Sequence, residues 1–228
     1  MKQFAVVGAA LGGLVHIAFA QEDVRQLRDT EVIGTYQNAV GTSDAASQGV
    51  VTQTLIENRP VLRPAEVMEF VPGLIITQHS GEGKANQYYL RGYNLDHGTD
   101  LATWVGGMPI NMPTHGHGQG YLDLNFLIPE LISRIDYKKG PYYADEGDFS
   151  TAGAVRIKLA DSLPKSLASG TLGSFGYRRG LLAGSPESGG GSLLCAIEWL
   201  HNDGPWQHPD DLQRFSGLLR YSRGPDDN

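Results

Sequence analysis

Apolar residues before residue 160 come in short groups separated by glycine, proline and polar loops. Val67, Phe70 and Val71 follow Pro64 at helical spacing, which predicts a short helix with its apolar side in a core. Short strands are predicted at 74–77, 87–91, 101–105, 134–138 and 154–159. Short strands mixed with short helices around one core indicate an α+β domain.

From residue 162 onward, apolar and polar residues alternate over longer runs. The apolar set of residues 192–200 is Leu193, Cys195, Ile197 and Trp199, and that of residues 212–221 is Phe215, Leu219 and Tyr221. This alternation suits the wall of a membrane β-barrel, although a strand of a soluble sandwich has the same pattern.

Two weaker strands, 167–174 and 177–183, precede these two runs. If all four pair as a meander, the connections 173–176 and 202–211 lie at the same end of the sheet. Four strands are too few to close a barrel, because barrel diameter grows with strand number. We therefore expect the sequence to be the N-terminal part of a longer protein.

The N-terminus has the pattern of a secretory signal peptide. Lys2 is followed by a largely apolar run, and Ala18-Phe19-Ala20 is a small-residue cleavage pattern. The run is short for a membrane anchor. We expect export, with residues 1–20 removed.

Composition excludes some classes of function. The formal charge is −7, and no basic cluster of the kind that marks a nucleic-acid binder is present. Cys195 is the only cysteine, so the chain has no intrachain disulfide.

Several motifs occur in order between residues 71 and 153, and together they resemble the plug domain of TonB-dependent outer-membrane receptors. They are Val71-Pro72-Gly73-Leu74, Leu90-Arg91-Gly92-Tyr93, 105–110, and 128–141 with Lys139-Gly140-Pro141 at its end. Two positions depart from the family pattern: Gly106 stands where an aspartate is usual, and Tyr143-Ala144 stands where a Tyr-Gly turn is usual.

The resemblance implies a fold and a division of the chain. We expect a signal peptide at 1–20, a flexible segment with a coupling box at 21–48, and an α+β plug domain, a short mixed sheet with short helices, at 49–161. The first antiparallel strands of an incomplete transmembrane β-barrel would occupy 162–228.

The resemblance also implies a function without covalent chemistry or a cofactor. The protein would be a monomeric receptor in the outer membrane of a Gram-negative bacterium, in contact with lipid, that takes up a scarce nutrient. Its partner would be the TonB energy-transducing complex of the inner membrane. Thr30, Glu31, Val32 and Ile33 resemble the box that pairs with TonB as an added strand, although the same residues also resemble a first plug strand.

Two basic residues match positions that fasten the plug in this family. Arg91 and Lys139 fall where the plug pairs with glutamates of the inner barrel wall, a contact that we call the plug-barrel lock. A solvated strand charge is the other interpretation. We favour the lock because a buried basic group needs a partner.

Histidines point to the ligand. His115 and His117 are two residues apart, so in extended backbone both imidazoles face the same way, and neutral imidazole binds zinc, copper, nickel or iron. A flexible loop with solvated histidines has the same sequence. If the plug is oriented as in the family, the apical loops carry the ligand-binding residues His79, His97, His115, His117, Gln119 and Tyr121. The ligand would then be a metal ion or a metal chelate such as a siderophore.

Other interpretations stay open at this stage. A secreted metal-binding hydrolase could use His115 and His117, and residues 21–161 alone could form a soluble periplasmic binding module. Asp145, Glu146 and Asp148 could bind calcium, but acids without the spacing of a known calcium loop more often form a solvated turn.

Overall fold

The structure is a computed structural model that describes residues 47–78 and 81–224. The expected signal peptide, the coupling box Thr30 to Ile33, and His79 lie outside the described residues. Within the described ranges, no helix is both long and apolar enough to cross a membrane.

Residues 48–159 form the α+β part of the fold. Its elements are β1 (Gln48–Thr52), α1 (Gln53–Glu57), a first 3-10 helix (Pro64–Phe70), β2 (Leu74–Thr77), β3 (Gln87–Leu90), β4 (Tyr93–Asn94), β5 (Leu101–Val105), β6 (Met108–Pro109), a second 3-10 helix (Pro129–Leu131), β7 (Ile132–Lys139) and β8 (Gly153–Leu159). The predicted strands at 74–77 and 101–105 have the observed bounds. Strand β1 was not predicted, because its stability comes from pairing with the distant strand β7.

Two sheets share one core. The larger sheet has the order β1-β7-β8-β5-β6, in which β7 is antiparallel to both neighbours and β8 is parallel to β5. The smaller sheet is β2-β3-β4. Ile135 and Ile157 from the large sheet, Tyr88 from the small one, and Val67 and Met68 from the first 3-10 helix are all fully or almost fully buried in the same cluster. Burial of each such side chain contributes roughly 1.5–3 kcal/mol to the stability of the fold. The core therefore anchors the loops that connect the strands of the two sheets.

The remaining strands form a second body of sheet, which we call the wall sheet. Its strands are β9 (Leu167–Leu172), β10 (Arg178–Gly184), β11 (Glu187–Ser188), β12 (Gly191–Asn202) and β13 (Leu212–Ser222). They pair in the order β9-β10-β12-β13, with β11 against the start of β12. The predicted meander is therefore confirmed, and Asp203 N donates to Phe175 O (2.9 Å) where its two connections meet.

The wall sheet has two different faces and is not closed. Phe215 and Leu219 are each 73% exposed, whereas Leu194 and Leu200, which alternate with the outward Trp199, are buried. Apolar side chains stand on the exposed face, as the alternation predicted.

The buried face packs against the α+β part. Ile128, just before the second 3-10 helix, and Leu131, within it, share an apolar cluster with Leu181, Leu194 and Ala196 of the wall sheet. Beside this cluster runs a series of ion pairs that we call the plug-wall ion chain: Glu130, Arg179, Glu198 and Arg214.

Arg179 joins two carboxylates in the plug-wall ion chain. Its Nη1 and Nη2 donate to the two carboxylate oxygens of Glu130 (2.6 and 2.8 Å), and its Nε donates to Glu198 Oε2 (2.6 Å). Arg214 Nη2 donates to Glu198 Oε1 (2.8 Å), and the Glu198 side chain is fully buried. The plug-wall ion chain thus joins β10, β12 and β13 to the helical turn before β7.

Candidate functional site

The loop that carries His115 and His117 is held at both ends. Asn111 is buried, and its Oδ1 accepts from Thr103 N (2.7 Å) while its Nδ2 lies 3.0 Å from the carbonyl oxygens of Gly98, Leu101 and Gly120. One amide side chain therefore fastens the end of the loop to the segment that follows His97.

Two glycines allow the segments to approach this closely. Gly98 and Gly120 both have positive φ (100° and 82°). A Cβ at Gly98 would collide with Leu122, and a Cβ at Gly120 would collide with Phe149. Both positions therefore require glycine, for backbone conformation and for space.

His97 is buried and has a fixed orientation. It is 5% exposed, and its Nδ1 lies 3.1 Å from Ala85 O and 3.0 Å from Asn86 O. A carbonyl oxygen only accepts, so Nδ1 carries the proton and donates. The other ring nitrogen, Nε2, lies 3.8 Å from Asp96 Oδ1.

The other predicted residues surround this imidazole. The rings of His97 and His117 meet edge to face with centroids 4.5 Å apart, and His115 stacks on Tyr121 at 3.9 Å. Tyr121 in turn accepts at its hydroxyl from Ala85 N (3.1 Å). Gln119 is exposed on the same loop.

A set of potential metal ligands results that differs from the pair expected from spacing. One ligand atom each from Asp96, His97 and His117 lies within 4.8 Å of the other two. His115 is not in that set. Its Nδ1 instead accepts from His117 N (3.1 Å). Sequence reasoning missed Asp96, although an aspartate directly before a histidine was a visible signal.

A second group of this kind lies in the wall sheet. His201 has Asp203 Oδ1 3.4 Å from its Nε2 and Asp211 Oδ1 3.6 Å from its Nδ1. The connection between β12 and β13 also reaches the α+β part, because Asp210 Oδ2 accepts from Glu82 N (3.3 Å). The segment that holds His97 through Ala85 is thus close to this connection.

Arg91 and Lys139 lie away from the histidines and close to each other. Lys139 is 8% exposed, donates to Pro72 O (3.2 Å) and lies 5.3 Å from the centroid of the Tyr137 ring. Burial, with a smaller effect of the Arg91 charge, lowers the Lys139 pKa. In the part of the chain that the structure describes, neither cation forms an ion pair. Arg91 donates to Ser47 Oγ (3.0 Å).

The acidic loop after β7 is paired within the fold. Arg156 donates to both carboxylate oxygens of Glu146 (2.7 Å each), and Lys138 pairs with Glu146 (2.8 Å) and Asp145 (2.7 Å). Burial alone would raise the Glu146 pKa, but the bonds from Arg156 and Lys138 outweigh it and lower that pKa. Asp145 and Asp148 are exposed, as a solvated turn predicts, whereas the ion pairs bury the Glu146 carboxylate.

Comparison with known proteins gives one consistent result. Residues 42–154 match the family model described as "TonB-dependent Receptor Plug Domain". The chain is 28% identical over 146 residues to the vitamin B12 transporter BtuB of Vibrio vulnificus (strain YJ016). These aligned residues are 64% of this chain and 23% of that protein.

Solved structures with this fold include three receptors or transporters. They are the copper transporter OprC (TM-score 0.59, 18% identity, 81% of this chain and 29% of that one), the ferric yersiniabactin uptake receptor FyuA from Yersinia pestis (0.55, 21%, 78% and 29%) and the siderophore receptor PirA from Pseudomonas aeruginosa (0.53, 21%, 81% and 34%). The chain therefore spans between about a quarter and a third of the length of these relatives.

Proposed function

Because the chain belongs to the TonB-dependent receptors and carries their plug domain, we propose that it takes up a scarce nutrient across the outer membrane of a Gram-negative bacterium. The wall sheet supports contact with lipid, since Phe215 and Leu219 are exposed on its outer face. We expect a monomer in the membrane and no enzymatic activity, because the relatives are named as transporters and receptors.

The proposed ligand is a metal ion or a metal chelate. The observation that carries this proposal is the histidine group, in which His97, His115 and His117 surround Tyr121 with ring centroids 3.9–5.9 Å from it. Imidazole binds transition metals, and aromatic faces bind flat organic groups. The names of the relatives, which include copper, vitamin B12 and ferric yersiniabactin, agree with this class of ligand. His79 and Gln119 remain proposed members of the same apical surface.

The proposed energy source is the TonB complex. Thr30, Glu31, Val32 and Ile33 would pair with TonB as an added strand. Arg91 and Lys139 would form the plug-barrel lock. The support for this lock is that Lys139 is almost fully buried near another cation, an arrangement that a nearby carboxylate would stabilise.

The test is localisation and transport of the protein expressed from its own gene. We expect the product in the outer-membrane fraction, and we expect uptake of radiolabelled zinc, ferric siderophore or cobalamin to require TonB. A control strain without TonB should bind the ligand at the surface but should not accumulate it. A soluble periplasmic product, or accumulation that is the same without TonB, would contradict the proposal.

The hydrolase and the soluble module have weaker support. A metal hydrolase needs a base and a supporting shell as well as metal ligands, and the family of the chain consists of receptors. A free periplasmic module would have no use for a wall sheet with an apolar outer face.

A further inference from the structure

We propose that Asp96, His97 and His117 form a three-ligand site for a bare divalent transition-metal ion of the zinc class, so that the cargo is the ion and not its chelate. This inference rests on the proposed uptake function and gives that function a substrate class.

The spacing of the three side chains suits a single small cation. One ligand atom from each lies within 4.8 Å of the others, and His97 Nε2 is 3.8 Å from Asp96 Oδ1. Zinc binds nitrogen and oxygen at about 2.0–2.2 Å, which places ligand atoms of one tetrahedral ion about 3.3–3.6 Å apart. The Asp96 side chain is 51% exposed and His117 is exposed, so a metal ion can draw both side chains closer by rotation about their side-chain bonds.

His97 is prepared to be the central ligand. Its Nδ1 proton is directed at the carbonyl oxygens of Ala85 and Asn86 (3.1 and 3.0 Å), so the lone pair is on Nε2, on the side of Asp96. A backbone carbonyl that fixes the tautomer of a histidine is the usual support of a metal ligand. The ring is also buried, so its orientation does not depend on solvent.

The ligand set decides the class of cation. Two neutral imidazoles and one carboxylate favour zinc, copper or nickel over calcium and magnesium, which prefer oxygen ligands alone. Three protein ligands leave one position of a tetrahedral ion open. A chelate whose ligands already fill the coordination sphere of the metal has no position for protein nitrogen, so this site recognises an ion without its chelator.

The experiment is isothermal titration of the purified full chain with zinc sulfate, in the presence of excess calcium. Asp96→Asn and His117→Ala should each weaken zinc binding by at least about tenfold, the lower end of losses seen even for groups that only support a ligand. His97→Gln, which keeps a polar side chain in the buried position, should do the same. His208→Ala is the matched control, because His208 is an exposed histidine outside the group, and it should bind zinc like the unmodified chain.

His115→Ala separates this site from the pair that sequence spacing predicts. A smaller loss of zinc affinity than in His117→Ala supports the three-ligand site, because His115 supports the loop through His117 N but contributes no ligand atom to the set. A loss as large as that of His117→Ala overturns it. Unchanged affinity in Asp96→Asn and His117→Ala, with thermal unfolding equal to that of the unmodified chain, also overturns it.

Failure of this inference can be told apart from failure of the proposed function. If the purified chain binds no zinc while cells that express it still take up ferric siderophore or cobalamin through TonB, the ion site is refuted and the receptor function stands. If the purified chain binds zinc as proposed while cells that express it show no TonB-dependent uptake, the ion site is supported and the receptor function is refuted.

Discussion

Substitution of Arg179 tests how firmly the plug is joined to the wall sheet. Arg179→Met removes both bonds to Glu130 and the bond to Glu198, and it leaves the fully buried Glu198 carboxylate with Arg214 as its remaining ion-pair partner. Removing one partner of a buried ion pair costs about 3–5 kcal/mol, because the remaining charge stays buried. We expect the free energy of unfolding to fall by that amount.

Glu130→Gln is the matched variant with a smaller expected effect. The Glu130 side chain is 35% exposed, so water can solvate what the substitution leaves behind. Bonds to charged groups contribute about 1.5–3 kcal/mol when they are dry, and solvent screening reduces that contribution to about 1 kcal/mol here.

Urea unfolding of the full chain in detergent measures both variants, since urea, unlike guanidinium, does not screen charge. Trp104 in β5 reports on the plug, and Trp199 in β12 reports on the wall sheet. The combined variant Arg179→Met/Glu198→Gln/Arg214→Met should recover part of the loss, because it removes all three buried charges. A loss below 1 kcal/mol in Arg179→Met, or no recovery in the combined variant, would show that Glu198 is not the buried partner that we describe.

Three further predictions concern Glu130, Asn111 and Val32. Burial alone would raise the folded-state pKa of Glu130, but the hydrogen bonds and the charge of Arg179 outweigh burial and lower it. The contribution of Glu130 to the free energy of unfolding is therefore complete above its ordinary pKa of about 4.5. It is lost as the pH falls through the lower folded-state pKa. The stability difference between the unmodified chain and Glu130→Gln should therefore vanish in acid unfolding curves. Asn111→Ala should destabilise the chain by about 1–3 kcal/mol for each buried group left unpaired, and amide exchange at Met112 and Gly120 should accelerate. Val32→Pro should abolish crosslinking to TonB, because proline cannot donate to an added strand, while zinc binding stays unchanged.

Much of the fold could be predicted because its signals are local. Proline at a helix start, glycine after a strand and alternation over residues 192–200 and 212–221 gave most elements within one or two residues of the observed bounds. Strand β1 was missed although Val50, Val51 and Thr52 are β-branched. A run of five residues becomes a strand only where a partner such as β7 supplies the hydrogen bonds.

The site was predicted in part for the same reason. The sequence pointed to His97, His115, His117 and Tyr121, and the structure brings these four side chains together. Which of them share a potential metal position depends on ring orientation, and that depends on carbonyl oxygens of Ala85 and Asn86, which are remote in sequence from the loop. Hydrogen bonds to backbone carbonyl oxygens cannot be inferred from residue identity. Spacing therefore predicted His115 as the second ligand beside His117, whereas the structure groups His117 with Asp96 and His97.

The position of β1 sets a mechanical order for the plug. It is the first described strand after the proposed coupling segment, and it lies at the edge of the large sheet, bonded to β7 along one side. Tension applied to the chain before Gln48 is therefore carried first by five residue pairs at this edge, while β7, β8 and β5 keep their own mutual hydrogen bonds. The plug can yield strand by strand from this edge, and the first strand to detach leaves the histidine loops before β5 and after β6 under no load.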